Sequence, residues 1–260
     1  IRRLPYRALV YEAIDALASN PKGVSRDYAA SEAQILRAAD LVIASSQTLH
    51  AEKAPHTPRT HWIPSGVADV FFRPAAPAPE VMEIPGPRLG FCGTLDHRLD
   101  QPLLRDLAQR RPEWSFVLIG PRRSALDEVL AAPNVHWLDA RPHGELPGYL
   151  AALDVLFLPY VLDDFTRHVY PAKIHECLAL GKPVVATALP SLEPFAEVVR
   201  LVGSMEEFES ALAAALWEDD PQLRQRRVDL ARQNAWETRY QEIRCLLDEV
   251  LSGAAAGEMA

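Results

Sequence analysis

From Leu89 to Ala186 the chain alternates short apolar runs with stretches of helical spacing, and few folds accommodate that rhythm. Leu89–Gly93, Ser115–Ile119, Val135–Leu138, Val155–Leu158 and Pro183–Ala186 read as strands. Residues 101–110, 145–152 and 171–180 read as helices, and Ser124-Ala125-Leu126-Asp127 reads as a capping box opening another. Strands that alternate with helices imply βαβ units and a parallel sheet. The tail from about 204 to 251 reads as largely helical, with Leu212, Leu216 and Leu223 on its packed side.

The chain before residue 73 is sparser. Residues 8–12 read as a strand, 27–39 as a helix, Leu41–Ala44 and His61–Ile63 as short strands, and Ser45 or Ser46 as the cap of a helix through His50. Between Arg73 and Pro87 stand five prolines: Pro74, Pro77, Pro79, Pro85 and Pro87. Such a stretch is expected to form neither helix nor central strand and reads as an interdomain linker. The opening, Ile1-Arg2-Arg3, is neither an initiator Met nor a signal peptide, so roughly a hundred residues are expected to precede it, given ordinary domain sizes.

Composition narrows the function. With 27 Lys and Arg against 35 Asp and Glu the formal charge is −8, a poor match to a nucleic-acid partner, which needs basic surface to neutralise phosphates. The three cysteines, Cys92, Cys177 and Cys245, stand apart, so neither a zinc site nor a thioredoxin motif is supported, and buried thiols in a reducing compartment are expected. His50, His56 and His61 do not have metal-site spacing, and no metal is expected. No apolar run reaches the length of about 18 residues that spans a bilayer.

The chemistry concentrates between Thr166 and Thr187. Pro171 reads as the first position of a helix about ten residues long and Gly181 as the residue just past its end. Such a helix opens at the carboxyl edge of the sheet, where open α/β folds bind ligands and exposed N–H groups attract phosphate. Lys173 adds a cation in the first turn. Glu176 shares its face and can accept hydrogen bonds from two ribose hydroxyls. On spacing alone the two are equally a Lys–Glu pair on the surface of an ordinary helix. Asp163 and Asp164, just before Thr166, read as a solvated loop or as ligands to sugar hydroxyls.

This segment resembles the donor-site signature of a large family of retaining glycosyltransferases, glycosyltransferase family 4 or group 1, which includes sucrose synthase-like and bacterial polysaccharide enzymes. Its string Pro-x-Lys-x-x-Glu-Tyr-Leu-Ala-x-Gly-Lys-Pro-Val-Val is matched here by Pro171, Lys173, Glu176, Leu178, Ala179, Gly181, Lys182, Pro183, Val184 and Val185. Ile63-Pro64-Ser65-Gly66-Val67 resembles the family's interdomain turn, and Asn134-Val135, Leu146-Pro147-Gly148-Tyr149-Leu150 and Asp154-Val155 follow in family order. Two positions depart from the pattern. His168 stands where many members have a second glutamate, and Gly93-Thr94-Leu95-Asp96-His97-Arg98 lacks the usual basic pair, with Arg98 as its one shifted cation.

The resemblance implies an α/β chain of the GT-B type with two Rossmann-like domains. Residues 1–73 would be the C-terminal part of an incomplete N-terminal, acceptor domain, 74–87 the linker, 88–235 the nucleotide-sugar domain, and 236–260 a C-terminal helix and tail. It implies transfer of a sugar from a nucleotide diphosphate to an acceptor hydroxyl with retention, in cell-surface polysaccharide or glycolipid synthesis. The donor site would comprise Glu176, Lys173, Arg98, Gly93, Thr94, Thr166 and Arg141. Arg141, in Arg141-Pro142-His143, would line the base pocket, or sit in a solvated loop. His168 is the one candidate catalytic residue, and no cofactor or metal is required. The implied partners are a nucleotide sugar and a glycan or lipid-linked acceptor. Peripheral membrane association, and pairing with the missing N-terminal segment or another chain, complete the expectation. The location implied is cytoplasmic, at the inner face of the membrane, and the chain by itself is expected to bind donor without transferring sugar. An epimerase of the same fold and a non-catalytic nucleotide-sugar module are the alternatives.

Overall fold

The computed structural model describes residues 6–19 and 27–257, with the backbone alone for 253–257; the Ile1-Arg2-Arg3 opening lies outside them. The chain divides into two compact units. One takes the chain up to Gly66, Asp163–Pro171 and the chain from Asn234; the other takes Val67–Leu162 and Ala172–Gln233.

The first unit holds β1 (Val10–Ala13), α1 (Tyr28–Ala38), β2 (Leu41–Ala44), α2 (Gln47–Lys53) and β3 (Thr60–Trp62). The strands form a parallel sheet in the order β1-β2-β3. All four residues of β2 are buried, as a strand covered on both faces requires. On one side Leu41 and Ile43 pack with Ile63 and Val250; on the other Ala44 meets Ala16 and Leu49. Ser46, not Ser45, caps α2: its hydroxyl accepts from the Leu49 N–H at 3.2 Å, while Ser45 donates to the Ile14 carbonyl at 2.8 Å. The C-terminal helix Trp236–Gly257 is part of this unit, because Ile243, Leu246 and Leu247 lie against its core.

The second unit holds α3 (Pro79–Met82), β4 (Arg88–Cys92), α4 (Gln101–Arg110), β5 (Ser115–Ile119), α5 (Asp127–Leu130), β6 (Val135–Leu138), α6 (Leu146–Ala151), β7 (Val155–Leu158), α7 (Lys173–Ala179), β8 (Val184–Thr187), β9 (Arg200–Val202), α8 (Met205–Ala215) and α9 (Pro221–Gln233). Its six strands are all parallel in the order β6-β5-β4-β7-β8-β9, the doubly wound arrangement whose order reverses between β4 and β7. Ligands bind such sheets outside the carboxyl ends of the strands at that reversal. The strand β9 was not expected: it is short, and the 3-10 turn Pro190–Phe195 precedes it instead of a long helix.

Four expectations are corrected. The proline-rich stretch is not a free linker, and the division of the chain falls at Gly66. Pro79–Met82 forms one helical turn because proline suits the first helical position, Val81 is wholly buried, and the Ala78 N–H donates to the Gly148 carbonyl at 2.9 Å. Second, Ser124 caps nothing. The next helix starts at Asp127 without a side-chain cap, and the Asp127 carboxylate takes Arg122 at 2.7 Å. Third, the helix expected over 171–180 spans only Lys173–Ala179. Pro171 stands two residues before its first position, and Ala172 takes the cap position. Fourth, the tail from 236 is not a separate piece but packs in the first unit. Gly181, at φ +66°, does terminate α7 as expected.

Candidate functional site

At the carboxyl end of β4 the backbone turns through Gly93, with φ +152°, a conformation that L side chains rarely adopt. The Lys173 side chain runs directly over it: a Cβ on Gly93 would lie 2.4 Å from Lys173 Cε and 2.8 Å from Nζ. The ammonium ends 3.4 Å from the Tyr160 hydroxyl and 5.6 Å from the centre of the Phe91 ring. Phe91 belongs to β4 and Tyr160 follows β7, so the two strands flanking the order reversal form the aromatic seat of this cation. Burial pushes Lys173 towards losing its proton, but the Tyr160 hydroxyl and the Glu176 carboxylate outweigh it and leave its pKa raised. The site thus presents a fixed positive charge. With α7 only two turns long, this charge and not the helix end dominates the local field.

Glu176 makes a separate contact. Its Oε1 lies 3.1 Å from Nε2 of His143, in the turn His143–Glu145 after β6. The buried Phe71 ring stands edge-on to the imidazole, 5.2 Å between centres. Among the described residues no ion pair joins Lys173 to Glu176, so the surface-pair reading of their spacing does not describe them. Between these side chains, Cys92 is pushed up to about 12, first by burial and then by the Glu176 carboxylate, against the pull of Lys173. It is therefore a neutral thiol. Cys177 is buried, but Cys245 is exposed, contrary to the expectation for all three.

The other expected residues are differently placed. Thr94 is half-buried beside Gly93. Arg98 grips Asp96, with Nε 3.0 Å from Oδ1 and Nη2 2.8 Å from Oδ2. Burial alone would raise the Asp96 carboxyl, yet these bonds hold it below its ordinary range. Arg98 therefore carries a charge already shared with Asp96. Arg141 is tied to Glu80 at 3.0 Å and to the Tyr149 hydroxyl at 2.8 Å, and Tyr149 in turn donates to Glu80. From that loop it is His143, two residues on, that reaches Glu176.

Thr166 and His168 belong to the first unit, whereas Lys173 and Glu176 belong to the second. Thr166 is almost wholly buried, and its hydroxyl accepts from the Asp163 N–H at 2.9 Å. The Asp163 carboxylate accepts from the N–H groups of Phe165 and Thr166 at 3.0 and 2.7 Å, so it shapes the turn instead of awaiting a sugar. His168 places Nδ1 2.8 Å from the Asp164 carbonyl and Nε2 3.8 Å from Glu52. Sequence reasoning missed Phe91, Tyr160 and Phe71. A tyrosine directly after the Pro159 that ends β7 was the available signal for one of them.

No metal-binding cluster occurs among the described residues, and no described helix is long and apolar enough to cross a membrane. Residues 86–218, more than half of the chain, match the profile of the family described as Glycosyl transferases group 1. The chain belongs to that family. Over 172 residues it is 32% identical to TuaH of Bacillus subtilis strain 168, named as a teichuronic acid biosynthesis glycosyltransferase; the match takes in 62% of this chain and 43% of that protein. The chain therefore spans less than half the length of this relative. Among solved structures it is similar to Anabaena HepE in complex with UDP and glucose, at 21% identity and TM-score 0.70, over 92% of this chain and 71% of that one. It is also similar to sucrose-phosphate synthase from Thermosynechococcus elongatus, at 19% identity and TM-score 0.73, over 94% and 68% respectively. At these identities the likeness carries the fold, and the α/β class with two Rossmann-like units stands.

Proposed function

We propose that this group 1 family member binds a nucleotide diphosphate sugar in its second unit and serves transfer of the sugar to an acceptor hydroxyl with retention. The carrying observation is that one short helix presents a half-buried cation over Gly93 and, one turn on, a carboxylate. The strand order reverses beside them. Lys173 would meet the diphosphate and stabilise the charge that develops as it leaves. Arg98 would assist only as far as Asp96 releases it. Glu176 would accept from the ribose hydroxyls. Thr94 and Gly93 would supply the backbone close to the phosphates. On this reading the protein's own cations do what a metal does elsewhere, so a chelator should leave turnover unchanged.

The naming of TuaH supports an acceptor in cell-surface polysaccharide synthesis, and HepE, solved with UDP and with UDP-glucose, supports a uridine donor. We assign the acceptor as a glycan or lipid-linked sugar met at the cytoplasmic face of the membrane, with His168 as the candidate catalytic residue. Radiolabelled UDP-glucose, incubated with the full-length protein and candidate acceptors, tests this. Label moved to acceptor with the donor's anomeric configuration is the expected result. A free epimer would reveal an epimerase, and UDP binding without turnover would reveal a binding module.

A further inference from the structure

We propose that His143 is a positioning residue that sets the plane of the Glu176 carboxylate so that the site distinguishes ribose from deoxyribose. The proposal rests on the reading of Glu176 as the acceptor of the ribose hydroxyls. A carboxylate only accepts hydrogen bonds, so the 3.1 Å contact requires the proton on His143 Nε2. That bond occupies Oε1 from one side. Oε2 has no hydrogen-bond partner among the described residues. A carboxylate on a side chain with three rotatable bonds is otherwise free to turn, and each rotamer frozen on binding costs affinity. His143 removes that freedom beforehand.

The imidazole is itself held. It sits at the start of a 3-10 turn directly preceded by Pro142, whose ring fixes the backbone. It packs in a T-shaped pair with Phe71, which is 1% exposed. Glu176 is half-buried, whereas His143 is largely exposed, with 56% of its side chain accessible. The contact with Phe71 and the hydrogen bond to Glu176 together fix the ring, and of the two only the hydrogen bond acts on the carboxylate. The cation nearby takes no part, because Lys173 is engaged by Tyr160.

Calorimetric titration of the protein with UDP and with 2′-deoxy-UDP tests the assignment; GDP and ADP with their 2′-deoxy forms serve if UDP does not bind. Wild type should favour the ribo form, and Glu176→Gln should erase most of that preference. His143→Ala should weaken UDP binding by about three- to tenfold, the scale of one hydrogen bond, while weakening the deoxy form by less than about twofold. His143→Gln, whose amide N–H can donate to the same oxygen, should recover part of the preference. His143→Ala added to Glu176→Gln should cost nothing further. Equal losses for both nucleotides in His143→Ala, or an unchanged preference, overturn the proposal. A preference unchanged in Glu176→Gln defeats the ribose reading itself, whatever His143 does. Absence of any nucleoside diphosphate binding, or of any ribo preference in wild type, defeats both.

Discussion

The close passage of Lys173 over Gly93 makes a single methyl group a sharp probe of the site. In Gly93→Ala the new carbon would stand 2.4 Å from Lys173 Cε. Ordinary contact needs about 3.5 Å, so the side chain must retreat by about 1 Å. That retreat draws Nζ away from the Tyr160 hydroxyl, its 3.4 Å partner, and from the place where a phosphate would meet it. Loss of one charge-assisted contact is worth about 1.5–3 kcal/mol, or roughly 10- to 100-fold in affinity for UDP. Backbone strain at φ +152° adds a separate stability cost on the order of 1–3 kcal/mol. Calorimetry with UDP and with uridine separates the two effects. Gly93→Ala should weaken UDP strongly and uridine little, and in a Lys173→Ala background it should cause almost no further loss. Wild-type UDP affinity in Gly93→Ala refutes the reasoning, as does a full loss that persists without Lys173, since the methyl would then act on the ligand directly.

Other consequences follow from neighbouring contacts. Lys173→Ala should cost more affinity for UDP than for uridine, by about 1.5–3 kcal/mol; equal losses would mean that Lys173 serves packing or the base. Cys92, with its thiol pushed up to about 12, should resist iodoacetamide at pH 8, where only about one thiolate in ten thousand exists, while the exposed Cys245 is alkylated in the same sample. Rapid loss of both thiols would contradict a raised Cys92 pKa. Arg227 is 2% exposed, 2.6 Å from Glu218, and donates to the Val198 carbonyl at 2.9 Å. Arg227→Ala leaves a cavity and takes the donor from the Val198 and Gly181 carbonyls, while Glu218 keeps Arg200 at 3.1 Å, so it should cost about 1–3 kcal/mol in urea unfolding; less than about 0.5 kcal/mol would show that these contacts contribute little.

What was legible in the sequence is what neighbouring residues decide among themselves. Strand and helix alternation from Leu89 to Ala186 is a local pattern of apolar spacing, and β4, β5, β6, β7 and β8 lie where it places them. Gly181 ends its helix because a left-handed turn needs only that residue. The tertiary structure decided the rest, because its causes lie far apart along the chain. Strand order comes from which helices cover which faces, and β9, three residues long, is stabilised by pairing with β8 instead of by its own pattern. Arg141 turned to Glu80, 61 residues away, since a guanidinium takes the carboxylate that packing brings within reach. Glu176 met His143, 33 residues back, instead of Lys173 three residues before it, and Lys173 was seated by Phe91 of β4 and Tyr160 after β7. Spacing on a helix puts two side chains on one face; only the packing around that face determines what each of them touches.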